Sequence, residues 1–166
     1  PLGATLVQDR RCRLIQDDFF ASAQGAEGFD PAQPGRLFHA VLLDIDHSPR
    51  DLLHPANAAF YETAGLLALA QHLHSGGVFA LWSDEPPDED FLEVLGGAFA
   101  TARAHIVSFP NPLLERTSAS TVYVATKGGW ITGGGPMTRV RSGRRRARET
   151  IFTLWWGTGL GLVTGC

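Results

Sequence analysis

Acidic side chains follow three of the predicted strands, at the point where each strand ends. Asp17 and Asp18 follow the first strand, the run 44–48 (D-I-D-H-S) the second, and Asp84 the third. Ligands of open α/β sheets bind outside the carboxyl ends of the strands. A carboxylate there can accept hydrogen bonds from an amine or act as a general base for an amine nucleophile. The sequence therefore predicts a site for a cationic or hydroxyl-rich ligand. The candidate substrate-binding residues from these strand ends are Asp46, His47, Ser48 and Asp84.

The same residues have simpler interpretations. Aspartate after a strand commonly caps the next helix, which is an open alternative for each of these residues. His47 is a candidate base or metal ligand, but a histidine facing solvent in a substrate loop is the favoured interpretation. No group of His, Cys and Asp residues has the spacing of zinc ligands, so we predict no metal site.

Hydrophobic periodicity defines the elements that must position these side chains. Short apolar or alternating runs predict strands, and longer runs with an apolar side predict helices. The predicted strands are 13–16, 38–45, 78–82, 105–109 and 120–126, and the predicted helices are 57–73 and 89–100, the second capped by Asp88. Alternating strands and helices indicate an α/β fold with a mostly parallel sheet and helices on both faces. The last two strands have no helix between them, so we expect an antiparallel edge hairpin.

The stretch 38–81 resembles the spermidine/spermine synthase family, whose fold is that of class I AdoMet-dependent methyltransferases. The resemblance rests on a buried strand followed by Asp44 and Pro49, on the Phe60-Tyr61 pair, and on the run 73–77 (L-H-S-G-G). The segment 16–20 (Q-D-D-F-F) resembles the motif by which the family contacts adenine. The resemblance covers roughly residues 1–126 and implies a Rossmann-like fold.

The resemblance also implies roles for particular residues. Asp18, beside Asp17, would accept a hydrogen bond from the adenine amino group, and Phe19 would offer its backbone to the ring. Asp44 would be the catalytic residue that orients and deprotonates the attacking amine, while also lying against the cofactor. Tyr61 would lie on the acceptor side. The implied cofactor is S-adenosylmethionine or decarboxylated S-adenosylmethionine, and the implied partner is a small-molecule acceptor such as an amine.

Two departures from the family pattern shape the functional hypothesis. His47 stands where the family has a second aspartate, so the acceptor is expected to differ from a polyamine. No G-x-G segment precedes residue 12, so we expect this chain to lack the N-terminal strands and Gly-rich loop of the family. We expect a partial aminopropyl transferase that binds cofactor poorly and is inactive alone. The alternatives are an AdoMet-dependent methyltransferase of the same fold and a non-catalytic fragment that acts through protein contacts. A homodimer is left open for the full-length parent.

The final 40 residues differ in character from the rest. Residues 1–126 carry 7 Lys and Arg against 16 Asp and Glu, whereas residues 127–166 carry 7 against 1. The stretch 139–148 is arginine-rich and lacks interleaved aromatic residues, which favours a disordered or non-homologous tail over a nucleic-acid-binding segment. Domain boundaries are therefore expected at 1–126 and 127–166.

The apolar runs and the cysteines of the sequence bear on where in the cell the protein is located. The longest apolar run, 151–163, is shorter than the roughly 18 residues needed to span a bilayer and is broken by glycines. The two cysteines, Cys12 and Cys166, form no disulfide framework, so we expect a reducing cytoplasm.

Overall fold

The computed structural model describes residues 12–129 with their side chains, and the backbone of residues 150–156 and 159–164. The strands are β1 (Arg13–Gln16), β2 (Phe38–Leu43), β3 (Leu73–Ser83), β4 (Thr101–Asn111), β5 (Arg116–Thr126), β6 (Thr150–Trp156) and β7 (Gly159–Thr164). The helices are α1 (Phe19–Gln24), α2 (Thr63–Gln71) and α3 (Glu89–Ala98), with a 3₁₀ helix at Pro55–Tyr61. The fold is α/β, as predicted.

The strands form one mixed sheet in the order β1-β7-β6-β2-β3-β5-β4. Only β2 with β3 and β2 with β6 pair in parallel, and the other four pairings are antiparallel. The prediction of a mostly parallel sheet was therefore wrong, because β5 turns back between β3 and β4 and because β7 turns back beside β6. The predicted antiparallel edge hairpin is confirmed as β4–β5.

Helices cover one face of the sheet in the described part of the chain. Phe60 of the 3₁₀ helix contacts Phe79 of β3, and Phe91 of α3 contacts Tyr123 of β5. These strand residues are buried, whereas the alternate residues of β3 and β5, which point to the other face, are mostly only half-buried. Helices on both faces were expected, but α1, α2, α3 and the 3₁₀ helix all share one layer, since Phe19 of α1 also packs on Phe60.

The C-terminal segment contributes strands that the sequence did not predict. The backbones of β6 and β7 lie between β1 and β2, where β6 pairs with β2 and β7 pairs with β1. The run 150–156 (T-I-F-T-L-W-W) is rich in β-branched and aromatic residues, which favour strands. That signal was available but was outweighed by the glycines around it. The arginine-rich stretch 139–148 lies outside the described residues, and the boundary at 126 stays a prediction.

The predicted helix 57–73 is two elements. The 3₁₀ helix ends at Tyr61, Glu62 is extended (φ −88°, ψ 160°), and α2 starts afresh at Thr63. Gly65 permits this break, because a Cβ atom on it would lie 2.4 Å from the Ala59 carbonyl oxygen and 2.6 Å from the Phe60 Cα. The backbone of the 3₁₀ helix therefore crosses α2 at a distance that only glycine allows.

A pair of glycine substitutions tests this packing. We expect Gly65→Ala to lower the free energy of unfolding by about 2–4 kcal/mol, because the added methyl group meets backbone atoms that cannot rotate away. The matched control is Gly96→Ala in α3, where the space around the added methyl group is open. That change should raise the free energy of unfolding by about 0.5–1 kcal/mol through helix propensity. Urea denaturation of both variants measures the difference, and equal effects would contradict the close crossing.

Cys12 is disulfide-bonded, which the cysteine count and spacing did not predict. Cys166, the other cysteine of the sequence, lies outside the described residues. Among the described residues, no helix has both the length and the apolar character to cross a membrane. The prediction of a cytoplasmic location stays a prediction.

Candidate functional site

The predicted strand ends lie at one edge of the sheet. The pairings through β7 and β6 make β1 run parallel to β2, and β2 is parallel to β3. Asp18, Asp44 and Asp84 therefore all follow the carboxyl ends of strands that point the same way. β1 and β2 are three strand positions apart, which corresponds to roughly 14 Å across the sheet. The site is thus an elongated edge and not a compact cluster.

Asp17 and Asp18 organise the start of α1. Asp18 is its N-cap, and its Oδ1 atom accepts hydrogen bonds from the backbone N–H groups of Phe20 (2.9 Å) and Ala21 (3.1 Å). Asp17 accepts from the Ser22 hydroxyl at 2.9 Å. The capping alternative is therefore confirmed for Asp18. Its Oδ2 atom accepts no hydrogen bond from the part of the chain that the structure describes, so this exposed oxygen can still receive a donor from a ligand.

Phe19 and Phe20 are core residues. Phe19 is fully buried, and its ring stacks on Phe29 with centroids 5.2 Å apart. Phe20 packs edge-on against Phe60 at 5.3 Å and also contacts Tyr61. Neither ring is free to stack on a ligand, so any contribution of Phe19 to binding must come from its backbone. These contacts fix the start of α1 against the 3₁₀ helix.

Asp44 is the exposed carboxylate at the centre of the edge. It follows the last residue of β2, between the ends of β1 and β3 in the sheet. Partial burial of its carboxyl group raises the pKa of Asp44 above the ordinary value. A raised pKa makes a carboxylate a stronger base. Asp44 therefore has the exposure and the basicity that proton abstraction requires.

Asp46 is buried and fully engaged within its own loop. Its Oδ1 atom accepts from the backbone N–H of Leu53 at 2.7 Å, and both of its oxygens accept from the amide of Asn57, at 3.0 and 3.1 Å. The Tyr61 hydroxyl donates to Oδ2 at 2.8 Å. Burial, followed by the charge and hydrogen bond of Asp46, raises the pKa of Tyr61. In this arrangement Asp46 and Tyr61 hold the loop that follows β2 and do not face a ligand.

His47, Ser48 and Asp84 connect the ends of β2 and β3. The backbone N–H of Asp84 donates to the His47 carbonyl at 2.9 Å, and the His47 Nδ1 atom lies 3.7 Å from an Asp84 carboxylate oxygen. Both of these side chains are about half exposed. Ser48 is buried, and its hydroxyl accepts from the backbone N–H groups of Arg50 and Asp51. His47 and Asp84 therefore face solvent as a pair, whereas Ser48 shapes the turn.

Arg50 is a residue of this region that sequence reasoning missed. Its guanidinium group donates to both carboxylate oxygens of Asp88, the N-cap of α3, and to Asp90 at 2.6 Å. The hydrogen bonds from Arg50 outweigh partial burial, which acts in the opposite direction, and hold the pKa of Asp88 below its ordinary value. Arg50 is the only Lys or Arg between residues 37 and 102, in an acidic part of the chain. A single basic residue in an acidic stretch of the sequence was the feature from which an ion pair of Arg50 could have been predicted.

A cavity of about 310 Å³ opens beside this edge, between the turn after β3 and the β4–β5 hairpin. Its acidic lining comes from Asp84 and Glu85, and its apolar lining includes Pro86, Pro87 and Ile106. An aliphatic body that carries an amine matches such a lining, because the chain can contact the prolines while the charge meets carboxylates. Among the described residues, no group of three His, Cys, Asp or Glu side chains has the arrangement of a metal site.

No protein-family model and no curated protein sequence matches this chain. A proposal of function therefore rests on the geometry of the site and on the sequence resemblance given above.

Proposed function

We propose that this chain forms the adenine and acceptor sides of an AdoMet- or decarboxylated-AdoMet-dependent transferase that modifies an amine. The observation that carries the proposal is Asp44, an exposed carboxylate of raised pKa at the centre of a strand-end edge. Aminopropyl transfer is the favoured reaction, because the resemblance to the spermidine/spermine synthase family implies it.

The sheet supports a Rossmann-like relationship. The parallel pair β2–β3 leads directly to the antiparallel hairpin β4–β5 at the edge, and β1 runs parallel to β2 with its carboxyl end on the same side. The first of these features is how sheets of the class I methyltransferase type end. The second places Asp18 and Asp44 on one edge, where an elongated nucleoside ligand can contact both.

The chemistry assigned to Asp44 is proton transfer. An alkylammonium ion is not a nucleophile, so the acceptor must lose a proton before its nitrogen attacks carbon. Asp44 would accept that proton, and the freed lone pair of the nitrogen would then attack the carbon bonded to the donor's sulfonium sulfur and displace the thioether. Asp84 and Glu85 would hold the cationic acceptor in the neighbouring cavity. Positioning and one general base suffice for such a displacement.

Ligand binding is testable even if it is weak. We expect methylthioadenosine at millimolar concentration to shift the ¹H–¹⁵N NMR signals of Asp18, Ala21 and Asp44, and decarboxylated AdoMet to shift them further. Asp18→Ala should remove the response at α1, whereas the control Asp51→Ala, on an exposed aspartate of the loop after β2, should retain it. Shifts scattered over the surface, or none at all, would reject the assignment of this edge as the nucleoside site.

Catalysis is tested at Asp44. Wherever transfer is measurable with donor and an amine acceptor, Asp44→Asn is expected to lower its rate by about 10²–10⁴-fold, because the amide cannot act as a base. Mass spectrometry of the acceptor distinguishes addition of an aminopropyl group from addition of a methyl group. Full activity in Asp44→Asn would refute the role of this residue, and methylation alone would favour a methyltransferase of the same fold.

A further inference from the structure

Ser120 is a buried polar residue that the proposed function does not use. It lies on β5, is only 6% exposed, and lines the cavity of about 310 Å³ beside the strand-end edge. Within the part of the chain that the structure describes, no group forms a hydrogen bond with its hydroxyl. The six other buried polar side chains of that part each form at least one hydrogen bond: Asp30, Asp46, Ser48, His72, Ser83 and Thr121.

A buried hydroxyl without a partner is energetically unfavourable. Its transfer out of water removes its hydrogen bonds with solvent, and none of the described groups replaces them. Native proteins contain few such groups. On the wall of a cavity, a ligand can supply the missing hydrogen bond. Ser120 therefore indicates a ligand that brings a polar atom to the buried side of this cavity.

The polar groups of the cavity differ between its rim and its interior. Asp84 and Glu85 are exposed, so their carboxylates lie at the rim, whereas Ser120 lies on the buried side. Pro86 and Ile106 contribute apolar surface to the same lining. A matching ligand has a cationic group at one end, an aliphatic chain in the middle and a neutral polar group at the other end.

The hydrogen-bonding capacity of Ser120 selects among such polar groups. Ionised Asp84 and Glu85 can only accept hydrogen bonds. The hydroxyl of Thr121 already donates to the carbonyl of Glu85 at 2.6 Å. Among the described side chains of the lining, the Ser120 hydroxyl is therefore the donor that remains for a ligand. An ammonium group offers no acceptor to this donor and an alkyl group offers none either, whereas a ligand hydroxyl does.

We propose that the amine acceptor is an amino alcohol, whose hydroxyl binds Ser120 while its amine lies beside Asp84 and Glu85. This inference rests on the proposed function, since it takes the cavity to be the acceptor site. Asp44 and Asp84 follow the neighbouring strands β2 and β3, so an amine held by Asp84 lies on the same edge as the proposed base. Ser120 is thus a specificity-determining residue for the acceptor.

Three amines of equal size test this role of Ser120. Aminobutanol, pentylamine and diaminobutane have the same number of non-hydrogen atoms, and their far ends are a hydroxyl, a methyl group and an ammonium group. Titration of the whole chain, followed through the ¹H–¹⁵N NMR signals of Glu85, Ser120 and Thr121, gives their affinities. We expect aminobutanol to bind about three- to tenfold more tightly than pentylamine, which is the range that one net hydrogen bond provides.

Ser120→Ala should abolish this preference and leave the affinity for pentylamine within about twofold. The matched control is Ser108→Ala, which removes an exposed hydroxyl of β4 outside the cavity lining and should retain the preference. Because no described group bonds the Ser120 hydroxyl, Ser120→Ala should unfold at the same urea concentration as the wild type or at a higher one. A lower midpoint would overturn the inference, since it would show that the hydroxyl is already bonded within the protein.

The remaining outcomes separate this inference from the proposed function. Equal affinities for aminobutanol and pentylamine, with the Glu85 signal shifted by both, would overturn the role of Ser120 and leave the cavity as the acceptor site. A loss of diaminobutane affinity in Ser120→Ala as large as the loss for aminobutanol would also overturn that role, because the hydroxyl would then serve an ammonium group. If none of the three amines shifts the signals of the cavity, both the inference and the proposed acceptor site are rejected.

Discussion

Replacing Asp30 with alanine is expected to lower the free energy of unfolding by about 3–5 kcal/mol. The Asp30 carboxylate is completely buried and accepts two hydrogen bonds from Arg13, both at 2.9 Å. A third comes from Arg36 at 2.8 Å and a fourth from the backbone N–H of Ala32 at 3.0 Å. Without the carboxylate, the partly exposed guanidinium groups of Arg13 and Arg36 lose their shared acceptor, and the Ala32 N–H loses its acceptor as well.

Asp30→Ala should weaken the attachment of β1 in particular, in addition to lowering the free energy of unfolding of the whole domain. Arg13 belongs to β1, which has only four residues, whereas Asp30 and Arg36 belong to the loop between α1 and β2. The ion pairs therefore hold β1, and with it Asp18, against the rest of the domain. Denaturant unfolding of Asp30→Ala measures the global effect. The control Asp51→Ala should change stability by less than about 0.5 kcal/mol; a similarly small effect in Asp30→Ala would contradict the buried ion-pair role.

The same group predicts a pH dependence. Burial alone would raise the pKa of Asp30, but the hydrogen bonds from Arg36, Arg13 and Ala32 outweigh it and hold the pKa below 3.8. A group whose pKa is lower in the folded state contributes stability above its unfolded pKa, and that stability is lost as the pH falls through the folded pKa. We expect the wild type to lose this contribution below pH 3.8, and Asp30→Asn to show a shallower dependence of stability on pH in that range.

Local signals in the sequence sufficed for several elements. The run of β-branched residues before Thr126 predicted β5, and Asp88 predicted the start of α3 to the residue. The placement of Asp18 and Asp44 at one edge also followed, since it needs only strand direction. For β5 and α3 the deciding interactions lie within a few residues along the chain, whereas the common edge of Asp18 and Asp44 depends on the distant strands β6 and β7.

Contacts distant in sequence were not predictable in the same way. Nothing local to Arg50 indicates that its partner is Asp88, 38 residues away. The break at Glu62 depends on where the 3₁₀ helix crosses Gly65, and the strand partners of β6 depend on which edge of β2 is open. Asp46 was expected to face the substrate because it lies in an acidic turn. In the structure Asp46 is buried within its own loop. The sequence alone did not indicate this burial.

Asp46→Ala is expected to lower the free energy of unfolding by about 2–4 kcal/mol, because it leaves the Leu53 N–H, the Asn57 amide and the Tyr61 hydroxyl without their acceptor. Tyr61→Phe removes only one of these bonds and should cost about 1.5 kcal/mol. Since the two residues share a hydrogen bond, the double variant should lose less than the sum of the single effects, by at least 0.5 kcal/mol. Additive losses in urea denaturation would contradict the network.

The effect of substituting Asp46 on acceptor binding distinguishes whether this residue positions its loop or binds the ligand directly. Asp46 holds the loop that carries His47 and Arg50, so its loss should disturb the pairing of His47 with Asp84 and the hold of Arg50 on Asp88. Tyr61→Phe leaves the Asp46 carboxylate in place, and we expect it to keep acceptor affinity within about twofold while lowering stability. If Asp46 instead binds the acceptor directly, Asp46→Asn should weaken acceptor binding at unchanged stability. Measuring both quantities on the same variants decides between the two roles, and the four hydrogen bonds that Asp46 accepts favour positioning.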